Sequence, residues 1–414
     1  MTKLHQPLRD AAESLFEYAQ QVPTIDTHEH IPRTERMYTA DPIRFRELFE
    51  PYVICDLGSA GIKGHHLEGE PFPRAGEDWD AFSPYWEAVK HGSYARALRL
   101  GLQRFYRVDD LTRENHVEIL ARINKNNTPG IYDRVFREAC GIERVMICTH
   151  ELPEKDDPLL IGNIVSPSTM VISKAGIDKM CADTGASPVT SLDELVAVSD
   201  RWMELQVSRG ALEFKTSTVA IESPSRDKAG EVLDWLLKGG TGPFEMAYEL
   251  GVFIREANAR KAAELGVPLA IHTGVWGDFR SIDIHNLIGF IARNQGCRMD
   301  IYHLSIPSVR ACIQVVKNFP NAYLNLCWAH IVASDMVVNT LKEAMDMVPM
   351  NKVFAFGADY VRCIEKVYGH LHIARENVAI VLGDRVDRQL MDLDEAKQVL
   401  KAWFYDNPKQ FYGI

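Results

Sequence analysis

Eight short apolar runs alternate along this chain with longer stretches of helical periodicity. The runs are Thr24–His30, Glu143–Thr149, Ser168–Ser173, Leu212–Thr216, Pro268–His272, Met299–His303, Ala322–Cys327 and Val353–Gly357. Between them, Ser191–Arg209, Pro243–Leu265 and Ser308–Asn318 read as helices, with Ser191 as a cap and Glu194 completing a capping box. Strands that are apolar along their whole length need helices on both faces, which implies a parallel sheet. Eight such βα units are the number that closes a (β/α)8 TIM barrel. An open, doubly wound sheet is the alternative, but no Gly-x-Gly-x-x-Gly follows any strand.

The stretch from Arg33 to about Cys140 breaks this rhythm. It shows helical periodicity in Phe45–Tyr52, Trp79–Lys90, Tyr94–Phe105, Arg113–Lys125 and Ile131–Cys140, separated by breaks such as 68–73 and 126–130. That length exceeds an ordinary βα loop. The expected organisation is one barrel domain over 1–414 with a helical insertion at 33–140. An amphipathic helix over Leu8–Val22 precedes the barrel, and a closing helix and tail run from Ala396 to Ile414.

Composition narrows the function. A formal net charge of −11 argues against a nucleic-acid partner, because phosphate binding needs clustered Lys and Arg. No apolar run reaches the length of a membrane span, and Met1–Pro7 lacks the apolar core of a signal peptide, so a cytoplasmic protein without a membrane partner is expected. The eight cysteines form no Cys-x-x-Cys pair and read as reduced, packed thiols.

The informative residues sit where the runs end. Pro23 and Pro32 bracket Thr24-Ile25-Asp26-Thr27-His28-Glu29-His30. Side chains two apart in a strand share a face, so His28 and His30 present two imidazoles side by side, with Asp26 on the same face. Paired neutral imidazoles suit a divalent metal; the plain alternative is two histidines facing solvent in a polar turn. Lys215, His272, His303 and Asp359 close the fourth, fifth, sixth and eighth runs. In a barrel those ends converge on one rim, where active sites are built. Singly, each has a simpler reading: a satisfied core histidine for His303, a snorkelling lysine for Lys215, a helix cap for Asp359.

These motifs together resemble the metal-dependent amidohydrolase superfamily, most closely its second large branch, of which uronate isomerase is a relative. The long helical insertion after the first strand also resembles that of uronate isomerases. The resemblance implies His28, His30, His272 and Asp359 as metal ligands, and His303 as ligand of a second metal or polariser of the substrate. It places Lys215 where some members carry a carboxylated lysine bridging two metals. Uronate isomerases carry Asp-Ser-Arg after strand eight, whereas this chain reads Asp359-Tyr360-Val361-Arg362, a departure that weighs against isomerase activity.

The three nitrogens and one oxygen of that set suit zinc, and one ion per chain is expected, with a second only if Lys215 is carboxylated. The expected activity is hydrolysis of an amide, lactone or ester of a small molecule. Asp359 would carry the proton and His303 would polarise the carbonyl. Aldose–ketose isomerisation of a uronic acid, decarboxylation, and a metal- or ligand-binding protein that has lost catalysis are the alternatives. Trp276, Arg280, Trp328, His330 and Arg362, in loops after strands five, seven and eight, and Lys215 if free, would suit a carboxylate-bearing, sugar-acid-like substrate. Alternatively, Arg280 and Arg362 pair with local acids such as Asp278, Asp283 or Glu365. A homo-oligomer is expected from the family's habit.

Overall fold

The computed structural model describes residues 4, 5, 7–63, 78–155, 157–217, 224–241, 244–275 and 278–414. Its strands are β1 (Thr24–Glu29), β2 (Ile142–Thr149), β3 (Leu160–Val165), β4 (Ala211–Thr216), β5 (Leu269–His272), β6 (Met299–Tyr302), β7 (Ala322–Asn325) and β8 (Val353–Phe354). They form one sheet in the order β1 to β8, and each strand from β3 to β7 pairs in parallel with the next. The fold is the TIM barrel that the alternation predicts.

The third strand falls elsewhere than the sequence suggests. It is Leu160–Val165, and Ser168–Ser173 is not a strand, because Ser166 and Pro167 open a helical turn over Pro167–Met170. Proline suits the first helical position, where its missing N–H costs nothing. Gly162 and Asn163 interrupt the apolar run of β3 and hide it. Asn163 is fully buried and donates to Glu213 at 2.6 Å. At the helix Leu192–Ser208 the Ser191 hydroxyl accepts from the Glu194 N–H as expected. The Glu194 carboxylate, however, accepts from the N–H of Thr190 at 2.7 Å, one residue outside the expected box.

The chain groups into two compact units. The first comprises residues 1–145, 327–342 and 355–405; the second comprises 146–326, 343–354 and 406–414. In the first, the region expected to be helical contains Val53–Ser59, Trp79–Val89, Ser93–Tyr106 and His116–Asn126, and ends in a π-helical turn at Asp133–Ala139. Of the expected breaks, 68–73 lies outside the described residues. An aromatic cluster of Phe45, Phe49, Phe82 and Trp86, all buried, holds that region together. Each such side chain contributes about 1.5–3 kcal/mol by leaving water. In the second unit, Met146, Phe354, Phe411 and Tyr412 form a buried cluster that ties the chain terminus to the strands. Among the described residues no helix is long and apolar enough to cross a membrane.

Candidate metal centre

In the first unit the main chain beyond β8 returns to β1. The N–H of Thr27 donates to the carbonyl of Phe356 at 3.1 Å, that of Asp359 to His28 at 2.8 Å, and that of His30 to Tyr360 at 2.9 Å. Gly357 allows this approach: a Cβ there would lie 2.5 Å from the Cys327 Cβ and 2.7 Å from the Thr27 Oγ1. Asp26 supports the turn from below. Its Oδ1 accepts from the N–H of His28 at 3.2 Å and of Ala358 at 3.1 Å. Burial pushes its carboxyl up to about 7. Glu29, which accepts from the N–H of Tyr360, is raised as well, first by burial and then by Asp26.

This ladder brings three of the predicted ligands together. The Nε2 atoms of His28 and His30 lie 3.1 Å apart, and each is 3.4 Å from Oδ1 of Asp359. An ion with bonds of 2.0–2.1 Å to tetrahedral nitrogen and oxygen ligands has ligand–ligand edges of about 3.3 Å. The three edges match that value. His28 and Asp359 are buried, while the His30 side chain is 42% exposed, so the triangle has a face open to entry. Asp359 holds a left-handed backbone, φ 63°, a conformation uncommon outside glycine and often kept where a site demands it. Tyr52, from the inserted region, donates its hydroxyl to the Asp359 carbonyl and stacks on Trp328 with ring centroids 4.6 Å apart.

In the second unit His272 and His303 stand together, with Nδ1 of the former 3.1 Å from Nε2 of the latter. His303, Leu304 and Ser305 are left-handed in succession, with φ of 71°, 57° and 49°. The loop is pinned by the Ser305 N–H donating to the Thr273 Oγ1 at 3.0 Å and by the Ile284 N–H donating to the Ser305 Oγ at 2.9 Å. Lys215 is buried, its Nζ 4.1 Å above the Tyr302 ring. The Tyr302 hydroxyl donates to Glu213 at 2.8 Å. Burial raises the carboxyls of Glu213 and Asp300, the latter to about 7, and the charge of Lys215 works against both shifts. These acids were not anticipated, although Glu213 precedes Lys215 by two residues and so shares its face. Tyr52 carried no signal in the sequence at all.

The residues expected around a substrate are more scattered. Arg280 is exposed and makes a bidentate contact with Asp278, both distances 2.7 Å, which is the local pairing weighed for it. Arg362 donates to the carbonyls of Tyr38 at 2.8 Å and Asp41 at 2.9 Å and lies over the Tyr38 ring. His330 is fully buried, with Nε2 2.9 Å from the Ala355 carbonyl and Nδ1 3.1 Å from Asn377. Both its nitrogens serve the fold, and burial pushes its pKa down to about 4. Trp328 is buried against Tyr52. Trp276 lies outside the described residues.

Fold and site geometry define the class: a TIM barrel with histidine and aspartate side chains gathered at its strand ends, in a group that could hold a metal ion. Residues 236–414 match the family model described as amidohydrolase. In fold the chain is similar to a uronate isomerase from Thermotoga maritima, with 14% identity, a TM-score of 0.78, and coverage of 99% of this chain and 100% of that one. It is similar to a glucuronate isomerase from Caulobacter crescentus at 17% identity and a TM-score of 0.78, over 99% and 96% of the two chains. A protein of Lactobacillus casei, named provisionally as a metal-dependent hydrolase, matches at 16% identity and a TM-score of 0.67, over 96% and 97%. At such identities the likeness shows the fold. No curated protein matches in sequence. The resemblance to the amidohydrolase superfamily is thus matched by a family pattern over residues 236–414, and the TIM-barrel fold is matched over nearly the whole chain.

Proposed function

We propose that the chain is a metal-dependent hydrolase of a small, carboxylate-bearing substrate. The observation that carries this reading is the triangle of His28, His30 and Asp359, whose edges suit a borderline divalent ion such as zinc. When bound there, such an ion would lower the pKa of coordinated water towards neutrality. The chain's own part is the proton. Asp359 would ligate through Oδ1 and carry a proton from the attacking water to the leaving group. Its carbonyl is held by Tyr52 and its N–H by His28, which fixes the main chain from which the carboxylate reaches. His303 would polarise the substrate carbonyl. Lys215, a buried cation, would meet a substrate oxygen rather than bridge two metals. His272 keeps, as a proposal, the ligand role that the sequence pattern gives it.

A second reading has its own support. The isomerases above align over nearly the whole chain, inserted region included. In that reading Asp359 or a neighbour would shuttle a proton between adjacent carbons of a uronic acid. The test is a panel of lactones, N-acyl compounds and uronates incubated with zinc- and manganese-loaded protein. Hydrolysis that is lost in Asp359→Asn supports the first reading. Uronate isomerisation without any hydrolysis would refute it in favour of the second.

A further inference from the structure

A second set of metal-ligating side chains lies in the first unit, built from residues that the reading above does not use. His372 and Glu376 sit one turn apart on the helix Glu365–Asp387, a spacing that puts both on one face. The Nε2 of His372 is 3.1 Å from Oε1 of Glu376. His5, from the segment before the first helix, brings its Nδ1 to 3.2 Å from the same Nε2. We propose that His5, His372 and Glu376 form a second divalent-cation site, selective for zinc-like ions that accept nitrogen and oxygen ligands.

Three observations point to a cation at this position. First, the two edges at His372, of 3.2 and 3.1 Å, match the roughly 3.3 Å expected between ligands of a tetrahedral zinc, and all three ligand atoms lie within 4.8 Å of one another. Second, the outer contacts fix the chemistry of each ligand. The Gln103 amide is oriented by donating its Nε2 to Asp109 at 3.0 Å, so its Oε1 faces the Nε2 of His5 at 3.1 Å. That pairing puts the proton of His5 on Nε2 and leaves a lone pair on Nδ1, directed at His372, which is the tautomer a ligand needs. Arg96 donates to the other carboxylate oxygen of Glu376 and, through Nε, to the Leu4 carbonyl at 2.8 Å. It thereby orients Glu376 and the segment carrying His5 together. Third, a lone pair on His5 and a carboxylate oxygen on Glu376 both face one nitrogen of His372. A single N–H can serve the two only as a shared donor, whereas a cation between them satisfies all three atoms at once.

The site is reachable. His372 and Glu376 are buried, but His5 is exposed and lines two cavities, of about 580 Å³ and 420 Å³. The larger is also lined by His91, Ser334 and Asp335, polar groups suited to a hydrated cation on its way in. A bound ion would clip the N-terminal segment to the helix Glu365–Asp387, so its effect would be on stability rather than on turnover.

The test uses tag-free, full-length protein carrying His28→Ala and His30→Ala, stripped with a chelator and titrated with zinc by calorimetry and with cobalt by visible absorption. One zinc per chain is expected to bind, with cobalt giving the intense visible bands of a four-coordinate nitrogen–oxygen site, and zinc is expected to raise the melting temperature. Adding His5→Ala should weaken binding by more than the roughly 10- to 100-fold that losing an outer partner costs, and abolish the thermal shift. Gln103→Leu should fall within that range. His5→Ala changes an exposed side chain, so circular dichroism should stay native even where His372→Gln misfolds. Absence of zinc uptake in the stripped double variant, or a zinc affinity and thermal shift unchanged by His5→Ala, would overturn the inference.

Discussion

The N–H of Asp359 donates to the carbonyl of His28 at 2.8 Å, so two candidate metal ligands more than three hundred residues apart in sequence are held in register by a direct main-chain bond. Ligand preorganisation of this kind leaves the side chains to adjust only about their own rotatable bonds. In tag-free protein purified without chelator, His28→Ala with His30→Ala should therefore lose one equivalent of transition metal relative to wild type. Asp359→Asn, which keeps the main-chain bond, should retain the fold and lose metal affinity. Elemental analysis and near-ultraviolet circular dichroism read the two effects separately. An undiminished metal content in the double variant would remove the centre from these residues.

Gly357 is the point at which this register is most exposed to substitution. A Cβ at 357 would meet Cys327 and Thr27 at the distances given above and the His28 nitrogen at 3.0 Å. The neighbours are main chain or short buried side chains, so they have little room to yield. Gly357→Ala is expected to cost about 1–3 kcal/mol, the usual range for overpacking, and to weaken metal binding by moving His28. Urea denaturation and a zinc titration check both halves. A variant as stable as wild type would mean that the turn relaxes without consequence.

How much of this could be read in the sequence depended on whether the signal was local. His28 and His30 share a strand, and the two-residue period alone puts their side chains on one face, so their pairing was legible. Asp359 was legible as the end of an apolar run, although its left-handed backbone was not. The third strand was missed because Gly162 and Asn163 break its apolar pattern, and Asn163 is explained only by a partner on another strand, Glu213. Tyr52 belongs to the same class of miss. It reaches Asp359 across 307 residues, and nothing near Tyr52 in sequence announces the contact. His330 shows the opposite case. Its residue type suggested a ligand contact, but Ala355 and Asn377 take both its nitrogens.

Arg280 tests the substrate reading from the side of geometry. Its guanidinium is 80% exposed and already held by Asp278, and exposed pairs of this kind contribute at most about 1 kcal/mol. With the pair intact, Arg280→Met should leave stability unchanged and kcat/KM within about two-fold on whichever acidic substrate the panel identifies. A selective rise in KM, with kcat unchanged, would instead show that Arg280 leaves Asp278 to bind ground state and transition state alike. Urea melts alongside the kinetics separate that outcome from misfolding.

Asp56 gives the pH dependence its clearest handle away from the metal ligands. It lies in the short helix Val53–Ser59, partly buried, and burial raises its carboxyl from 3.8 to about 6. A raised carboxyl binds its proton more tightly in the folded state. Its contribution to stability is therefore fully present below the unfolded value and is lost as pH rises through the folded one. The window is about pH 4 to 6, and at pH 7 the folded protein bears the whole cost of a charged group that is partly out of water. One pKa unit corresponds to about 1.4 kcal/mol, and the partial exposure of Asp56 reduces the cost to about 1 kcal/mol. Asp56→Asn should therefore be about 1 kcal/mol more stable than wild type at pH 7 and indistinguishable from it near pH 3.5, provided both remain folded there. Urea denaturation at half-unit steps from pH 3.5 to 7.5 measures the difference directly. A gap that stayed constant across that range would trace the effect to packing of the amide instead of to removal of a buried charge.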